Sequence, residues 1–122
     1  MNIVFNKKSP LYIQIFEYLK YQIINGNLAS GEKLPSRREL AEMLGVNLNT
    51  VQKAFKELER ENLIITEMGK SSYIQRDISL ISKVRGNFIN ELVNSFILEM
   101  EVLNIHYEEI VTILKKVMNQ KN

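Results

Sequence analysis

Apolar residues recur at helical spacing in the first part of the chain. In the first such segment they fall at i, i+3, i+4, i+7 and i+11, and they are Tyr12, Ile15, Phe16, Leu19 and Ile23. This spacing predicts a helix with one buried face. Ser9 suits the N-cap of that helix, Pro10 suits its first helical position, and Gly26 suits the left-handed residue that ends it.

Two more helical patterns follow in quick succession. Ser36 and Glu39 form a capping-box pattern at the start of a second helix, and Gly45 ends that helix. Asn47 precedes a third helix, whose apolar positions are Val51, Ala54, Phe55 and Leu58. Two helices joined by a short turn that contains a glycine are typical of a helix-turn-helix.

The apolar period then changes from helical to strand-like. The segments LIITE and SYIQ are rich in β-branched and aromatic residues, and Gly69 lies in the turn between them. Three helices followed by a hairpin indicate a winged helix-turn-helix. We therefore predict a mainly α fold with a small β-hairpin, in which residues 1–77 form the winged domain and residues 78–122 form a two-helix tail.

The tail carries two strongly apolar helical patterns. Its main apolar positions are Ile81, Val84, Phe88, Leu92, Phe96, Met100, Ile110 and Leu114. Two helices cannot bury this much apolar surface against each other. Part of it must pack on the winged domain or on another chain.

Composition removes several classes of protein. The 122 residues favour one compact domain with a small appendage, and the absence of cysteine leaves no disulfide framework or thiolate metal site. No apolar run reaches the roughly 18 residues of a membrane span, and the N-terminus lacks a signal-peptide pattern. We expect a cytoplasmic protein that does not enter a membrane.

Catalysis is not predicted. The sequence shows no nucleophile–base–acid set, no phosphate-binding glycine loop and no metal-ligand spacing. His106 is the only histidine, and a single histidine without a partner cluster is more often a cap or surface residue than a ligand. We therefore expect no enzymatic activity, no cofactor and no metal.

Positive charge is concentrated around the predicted helix-turn-helix. The net charge of the chain is only +2. The third helix carries Asn49, Lys53, Lys56 and Arg60 opposite its apolar face, and Thr50 and Gln52 on the two flanks. Duplex DNA requires cations for its phosphates, and amides or hydroxyls for its base edges. The pattern predicts that the helix at about 48–60 enters the major groove.

Two neighbouring elements extend this basic surface. Arg37 and Arg38 lie in the first turn of the second helix, within reach of a phosphate beside the groove. Lys70 follows Gly69 in the hairpin turn, where a glycine permits close approach to the DNA backbone. The alternatives are an ordinary solvated helix face and a winged-helix protein-interaction module without DNA readout.

The segment from Pro10 to about Ile74 resembles the DNA-binding domain of GntR-family bacterial transcription regulators. The resemblance rests on LPSRRELA at Leu34 to Ala41, NTVQKA at Asn49 to Ala54 and LERENLI at Leu58 to Ile64. The short tail is similar to that of the YtrA-type subfamily, whose tails pair to form dimers. With a tail this short, the resemblance leads us to expect a regulator without the effector domain of longer relatives.

The resemblance implies DNA contacts by Arg38, Asn49, Thr50 and Lys53, and by the wing around Gly69. Two departures are visible. The second glycine of the usual wing motif is missing, and Leu48 stands where relatives often carry arginine or proline.

Together these features predict a homodimeric, sequence-specific regulator, a repressor, on a palindromic double-stranded DNA operator. Its dimer interface would comprise the eight tail positions named above. An effector-responsive form stays open, with no effector site identified.

Overall fold

The computed structural model describes residues 1–69 and 71–121. The chain forms two compact units, Met1–Arg85 and Gly86–Asn122. The elements, in chain order, are α1 (Leu11–Ile24), α2 (Arg37–Leu44), α3 (Leu48–Arg60), β1 (Ile64–Thr66), β2 (Ser72–Ile74), α4 (Ile78–Val102) and α5 (Tyr107–Lys121). The predicted mainly α fold with a small hairpin is confirmed.

The first unit is built around one apolar core. Helices α1 and α3 supply most of it, and the start of β1 and the end of β2 close it; its largest fully buried side chains are Phe55, Ile15, Leu19, Leu34, Leu40, Leu58, Leu63, Ile74 and Val51. The apolar faces of the three predicted helices are therefore the faces that pack.

The start of α1 differs from the prediction. Pro10 occupies the N-cap position with no side-chain cap, so Ser9 is not the cap. The carbonyl of Ser9 instead accepts a hydrogen bond of 2.7 Å from the side chain of Gln14. The side-chain amide of Gln14, one turn into the helix, thus binds the backbone that precedes α1. The spacing of apolar residues does not predict a hydrogen bond of this kind.

The helix-turn-helix is closed by local interactions that the sequence predicted. The Ser36 hydroxyl accepts from the Glu39 backbone N–H at 3.0 Å, and the Glu39 carboxylate accepts from the Ser36 N–H at 3.2 Å. Gly45 ends α2 at φ 65°, a left-handed backbone that suits glycine. The Asn47 side chain caps α3 by accepting from the Asn49 N–H at 3.0 Å.

The wing is a two-stranded antiparallel sheet, with Ile64 opposite Ile74 and Thr66 opposite Ser72. The loop before α2 adds a third, very short pairing. Lys33 bridges Tyr73, and the Leu34 N–H donates to the Ser72 carbonyl at 2.9 Å. This pairing joins the wing to the start of α2.

Helix α4 begins in the first unit and continues into the second. Its first turns belong to the winged domain, because Ile81 and Val84 pack partly buried against that core. Asn104, at φ 57°, takes the left-handed conformation after the end of α4. No residue of α4 or α5 in the described part of the chain is fully buried. None of the helices within residues 1–69 and 71–121 has the length and apolarity needed to cross a bilayer.

Candidate nucleic-acid interface

Helix α3 presents a polar face to solvent. Asn49, Gln52, Lys53 and Lys56 are exposed, and Thr50 is half-buried. Within residues 1–69 and 71–121, none of these five side chains forms a hydrogen bond or ion pair. The amides and ammonium groups of this face therefore remain available to an external partner.

One flank of α3 adjoins the start of α2 across a cleft of about 260 Å³. The cleft is lined by Pro35, Ser36, Arg37, Arg38, Leu48, Gln52, Ser71 and Ser72. It brings together the first turn of α2, the first residues of α3 and the beginning of β2. Leu48 is half-buried along this cleft, next to the first turn of α2.

The two neighbouring arginines of α2 have different environments. Arg37 pairs with Glu59 at 3.0 Å, donates to the Thr66 hydroxyl at 3.4 Å and lies 4.9 Å above the Phe55 ring. It therefore links α2 to α3 and β1. Arg38 is exposed and has no such partner in the described part of the chain. The sequence pattern predicted the same phosphate contact for both arginines and did not predict this internal role of Arg37. The partners of Arg37 are 22 and 29 positions away along the chain.

The other flank of α3 adjoins the start of α1. The Lys53 ammonium lies 5.7 Å from the centre of the Tyr12 ring. Tyr12 is the second residue of α1 and packs partly buried against the core, so it fixes this border. Helix α3 thus lies between α2 on one side and the start of α1 on the other.

The turn of the wing places Gly69 at the protein surface. Gly69 is exposed at φ 68°, a conformation that an L side chain rarely adopts. Lys70 lies outside the described residues. Met68 beside Gly69 is 96% exposed. The Thr66 and Ser72 hydroxyls are 2.7 Å apart and join the two strands just below the turn.

One acidic group stays ionised beside this basic surface. Hydrogen bonding to the Ser36 side chain, and then to its backbone, holds the pKa of the Glu39 carboxyl below its ordinary value of 4.5. The carboxylate lies in the first turn of α2, where a negative charge also interacts favourably with the helix dipole. The Glu39 carboxylate therefore acts in the cap of α2.

The second unit contains an open apolar groove of about 590 Å³ between α4 and α5. It is lined by Leu92, Val93, Phe96, Ile97, Glu101, Ile105, His106, Tyr107, Ile110, Val111 and Leu114. Of the tail positions predicted as a dimer interface, four line this groove: Leu92, Phe96, Ile110 and Leu114. Phe88 and Met100 are half-buried but do not line it.

Ile81 and Val84 are placed differently from these four, on the winged-domain core, and their part in a dimer interface stays a prediction. The groove also includes Ile105 and Val111, which were not among the predicted positions. Ile105 lies in the turn between the helices, where no apolar period exists to mark it.

A winged helix-turn-helix with an unpaired polar recognition helix defines a class of DNA-binding protein. The family model described as bacterial regulatory proteins of the gntR family matches residues 11–74. The chain therefore belongs to the GntR family, as a member of its YtrA-type subfamily, and is a DNA-binding transcription regulator. The family is one of transcription regulators rather than enzymes.

Relatives match over nearly the whole chain. The uncharacterized regulator YhcF of Bacillus subtilis is 30% identical over 94% of this chain and 95% of its own length. The repressor YtrA of the same organism is 34% identical over 89% of this chain and 85% of its own length. A GntR family regulator from Listeria monocytogenes has a solved structure with a TM-score of 0.86, at 38% identity over 92% of this chain and 98% of that one.

Proposed function

We propose that this protein is a cytoplasmic, homodimeric repressor that reads a palindromic operator. The observation that carries the proposal is the outward face of α3, whose amides and ammonium groups are unpaired within the described residues. The relative YtrA is named as a repressor, which supports the direction of regulation.

Base reading is assigned to the first turns of α3. In a helix-turn-helix, the N-terminal residues of the second helix reach deepest into the major groove. Asn49, Thr50 and Gln52 occupy these positions, and an amide makes two hydrogen bonds to an adenine edge. Lys53 and Lys56 lie on the same face and supply salt-dependent affinity.

Phosphate contact beside the groove is assigned to Arg38, because its guanidinium has no partner within the described part of the fold. The guanidinium of Arg37 already binds Glu59 and Thr66, so it acts through the placement of α2 unless DNA displaces Glu59. Gly69 and Lys70 remain proposed wing contacts.

A second copy of the chain is proposed to cover the apolar tail. Leu92 is 55% and Leu114 43% exposed beside the groove between α4 and α5. Apolar patches of this kind on a monomer mark an interaction surface. A two-fold interface is self-complementary and would present two winged domains to the two halves of a palindrome. No small-molecule effector is assigned.

The first test is a titration of DNA carrying the promoter of the protein's own gene, with and without random-sequence competitor. A complex that survives competitor is expected. Asn49→Ala should weaken this complex by about 1–3 kcal/mol, the usual contribution of one amide–base pair of hydrogen bonds. Binding to random duplex should stay the same.

Asn119→Ala is the matched control, because Asn119 is an exposed asparagine near the end of α5. It should leave both affinities unchanged. An equal loss on promoter and random DNA in Asn49→Ala would reject base reading by Asn49. The absence of any competitor-resistant complex would reject sequence-specific binding altogether.

A further inference from the structure

The segment before α1 is attached to the winged domain. Ile3 and Phe5 pack partly buried against the core of that domain. The segment therefore follows a defined path along α1. What it presents to solvent is consequently held at a fixed place.

Gln14 anchors the end of this segment with both ends of its amide. Its oxygen accepts from the Asn6 N–H at 3.0 Å, and its nitrogen donates to the carbonyls of Asn6 at 2.9 Å and Ser9 at 2.7 Å. The Gln14 residue is only 8% exposed, so water competes little for these bonds. Lys7 and Lys8 lie between the two anchored residues.

Lys7 and Lys8 are exposed, and neither side chain has an ion-pair or hydrogen-bond partner within residues 1–69 and 71–121. The backbone around them is turned by a bond of 2.8 Å from the Lys8 N–H to the Asn6 side chain. Glu17 is the first acidic residue of the chain, so no carboxylate precedes it in this segment. The result is a fixed cationic patch that forms no ion pair with a carboxylate of residues 1–69 and 71–121.

The patch immediately precedes α1, and the start of α1 borders the recognition helix on the flank away from Arg38. The segment ends at α1, whose second residue, Tyr12, lies under the Lys53 ammonium at 5.7 Å. Leu48 and Gln52, by contrast, line the cleft on the α2 side together with Arg38. Cations therefore occur on both flanks of α3.

We propose that Lys7 and Lys8 bind backbone phosphates on the strand opposite the one contacted by Arg38. The major groove is about 12 Å wide and is bordered by one phosphate backbone on each side, so a helix inside it has a strand along each flank. Arg38 binds the phosphates of one border, and Lys7 and Lys8, which precede the α1 start that Lys53 contacts, bind those of the other. This inference rests on the proposed placement of α3 in the groove.

The test compares Lys7→Ala/Lys8→Ala with Lys115→Ala/Lys116→Ala, which removes the same charge from an adjacent, exposed lysine pair on α5. The probe is a random-sequence duplex, and the logarithm of the binding constant is measured against the logarithm of salt concentration. Each lost phosphate contact reduces the slope by about 0.9. The first variant should therefore lose about 1.8 per bound subunit, and the tail variant nothing.

A slope equal to wild type in Lys7→Ala/Lys8→Ala overturns the proposal, and so does an equal loss in the tail variant, which would show only an effect of net charge. Both lysines are exposed, so loss of folding does not complicate the result. The random probe also separates the two proposals. If wild-type protein forms no competitor-resistant complex with the promoter, sequence-specific repression is rejected. If the salt slope on random duplex is unchanged in Lys7→Ala/Lys8→Ala, only the lysine contact is rejected.

Gln14→Leu tests whether the anchoring matters. This variant keeps both lysines and removes the hydrogen bonds to Asn6 and Ser9. Its slope should fall part of the way toward that of the double lysine variant, at matched folded fraction by circular dichroism. A slope identical to wild type would show that the lysines bind without a fixed segment, and would overturn the role of the anchor.

Discussion

The winged domain and the tail both carry apolar residues at helical spacing, but these residues are buried in the winged domain and largely exposed in the tail. In the winged domain, helical apolar positions such as Ile15, Leu19 and Phe55 are 0% exposed. In the tail, apolar positions on α4 stay open, with Leu92 at 55% and Leu98 at 62% exposed. Both patterns produced helices, and only the first produced a core.

The difference in burial follows from how many neighbouring elements cover the apolar face of each helix. Helix α3 packs between α1, α2 and β1, so its whole apolar face is covered. Helices α4 and α5 form an open groove beyond the first turns of α4. Since burial of apolar area stabilises by roughly 25 cal/mol per Å², the winged domain carries its own stability, whereas that of the tail depends on protein concentration if a second copy covers it.

The largest effect is expected in the winged core. Phe55→Ala should lower the free energy of unfolding by about 3–5 kcal/mol, because it leaves a cavity at a fully buried position. Urea unfolding at two protein concentrations measures this loss, which should be the same at both. Met68→Ala, at a 96% exposed position, should change stability by less than about 0.5 kcal/mol. A small loss in Phe55→Ala would break the contrast between the two regions.

A large effect of a different kind is expected in the tail. Leu92→Asp should raise the dimer dissociation constant by at least about 100-fold, because it places a charge where the proposed interface would bury a leucine. Sedimentation velocity measures the shift. The helical far-ultraviolet circular dichroism signal of the protein should persist, because the winged domain stays folded.

Asn94→Asp adds the same charge to the same helix at an exposed polar position and should leave the dimer intact. An unchanged dissociation constant in Leu92→Asp would remove this face from the interface. Unfolding of the monomer would show that the exposed leucine already contributes to the stability of a single chain.

The smallest effect concerns a helix end of the winged domain. Glu39 has its pKa lowered in the folded state by the bonds to Ser36, so its contribution to stability is complete above pH 4.5 and is lost as the pH falls through the lowered value. Glu39→Gln keeps a hydrogen-bonding side chain that does not ionise. The stability difference between wild type and Glu39→Gln should therefore narrow below pH 4.5.

Thermal melts from pH 7 to pH 3 measure this effect, which should not depend on protein concentration. Glu42→Gln removes one charge from the same helix without touching the Ser36 cap. An equal pH dependence in both variants would mean that the charge of α2, and not the cap, is responsible.

Much of the fold was predictable because its signals are local. The capping box of Ser36 and Glu39, the left-handed Gly45 and the cap at Asn47 each depend on residues within a few positions of one another. The polar face of α3 was also predictable, because helical periodicity fixes which side chains oppose the core. The placement of these residues in a DNA contact remains a proposal.

The remaining features depend on residues that are distant along the chain. Arg37 was grouped with Arg38, although its partners Glu59 and Thr66 lie on α3 and β1. Ser9 was expected to cap α1, but its carbonyl binds Gln14 instead. The apolar pattern also did not indicate which tail positions pack on the winged domain, and the structure places Ile81 and Val84 there.

The sequence by itself determined the helices, their ends, the hairpin and the two faces of α3, because backbone preference and apolar period act over a single turn or strand. Only the tertiary structure decided that Arg37, but not Arg38, is paired within the part of the chain that the structure describes, and that the start of α1 borders α3 on the side away from α2. It also decided that the first turns of α4 pack on the winged core. Those outcomes depend on which elements meet in space, and a pairwise contact between distant side chains has no period along the chain.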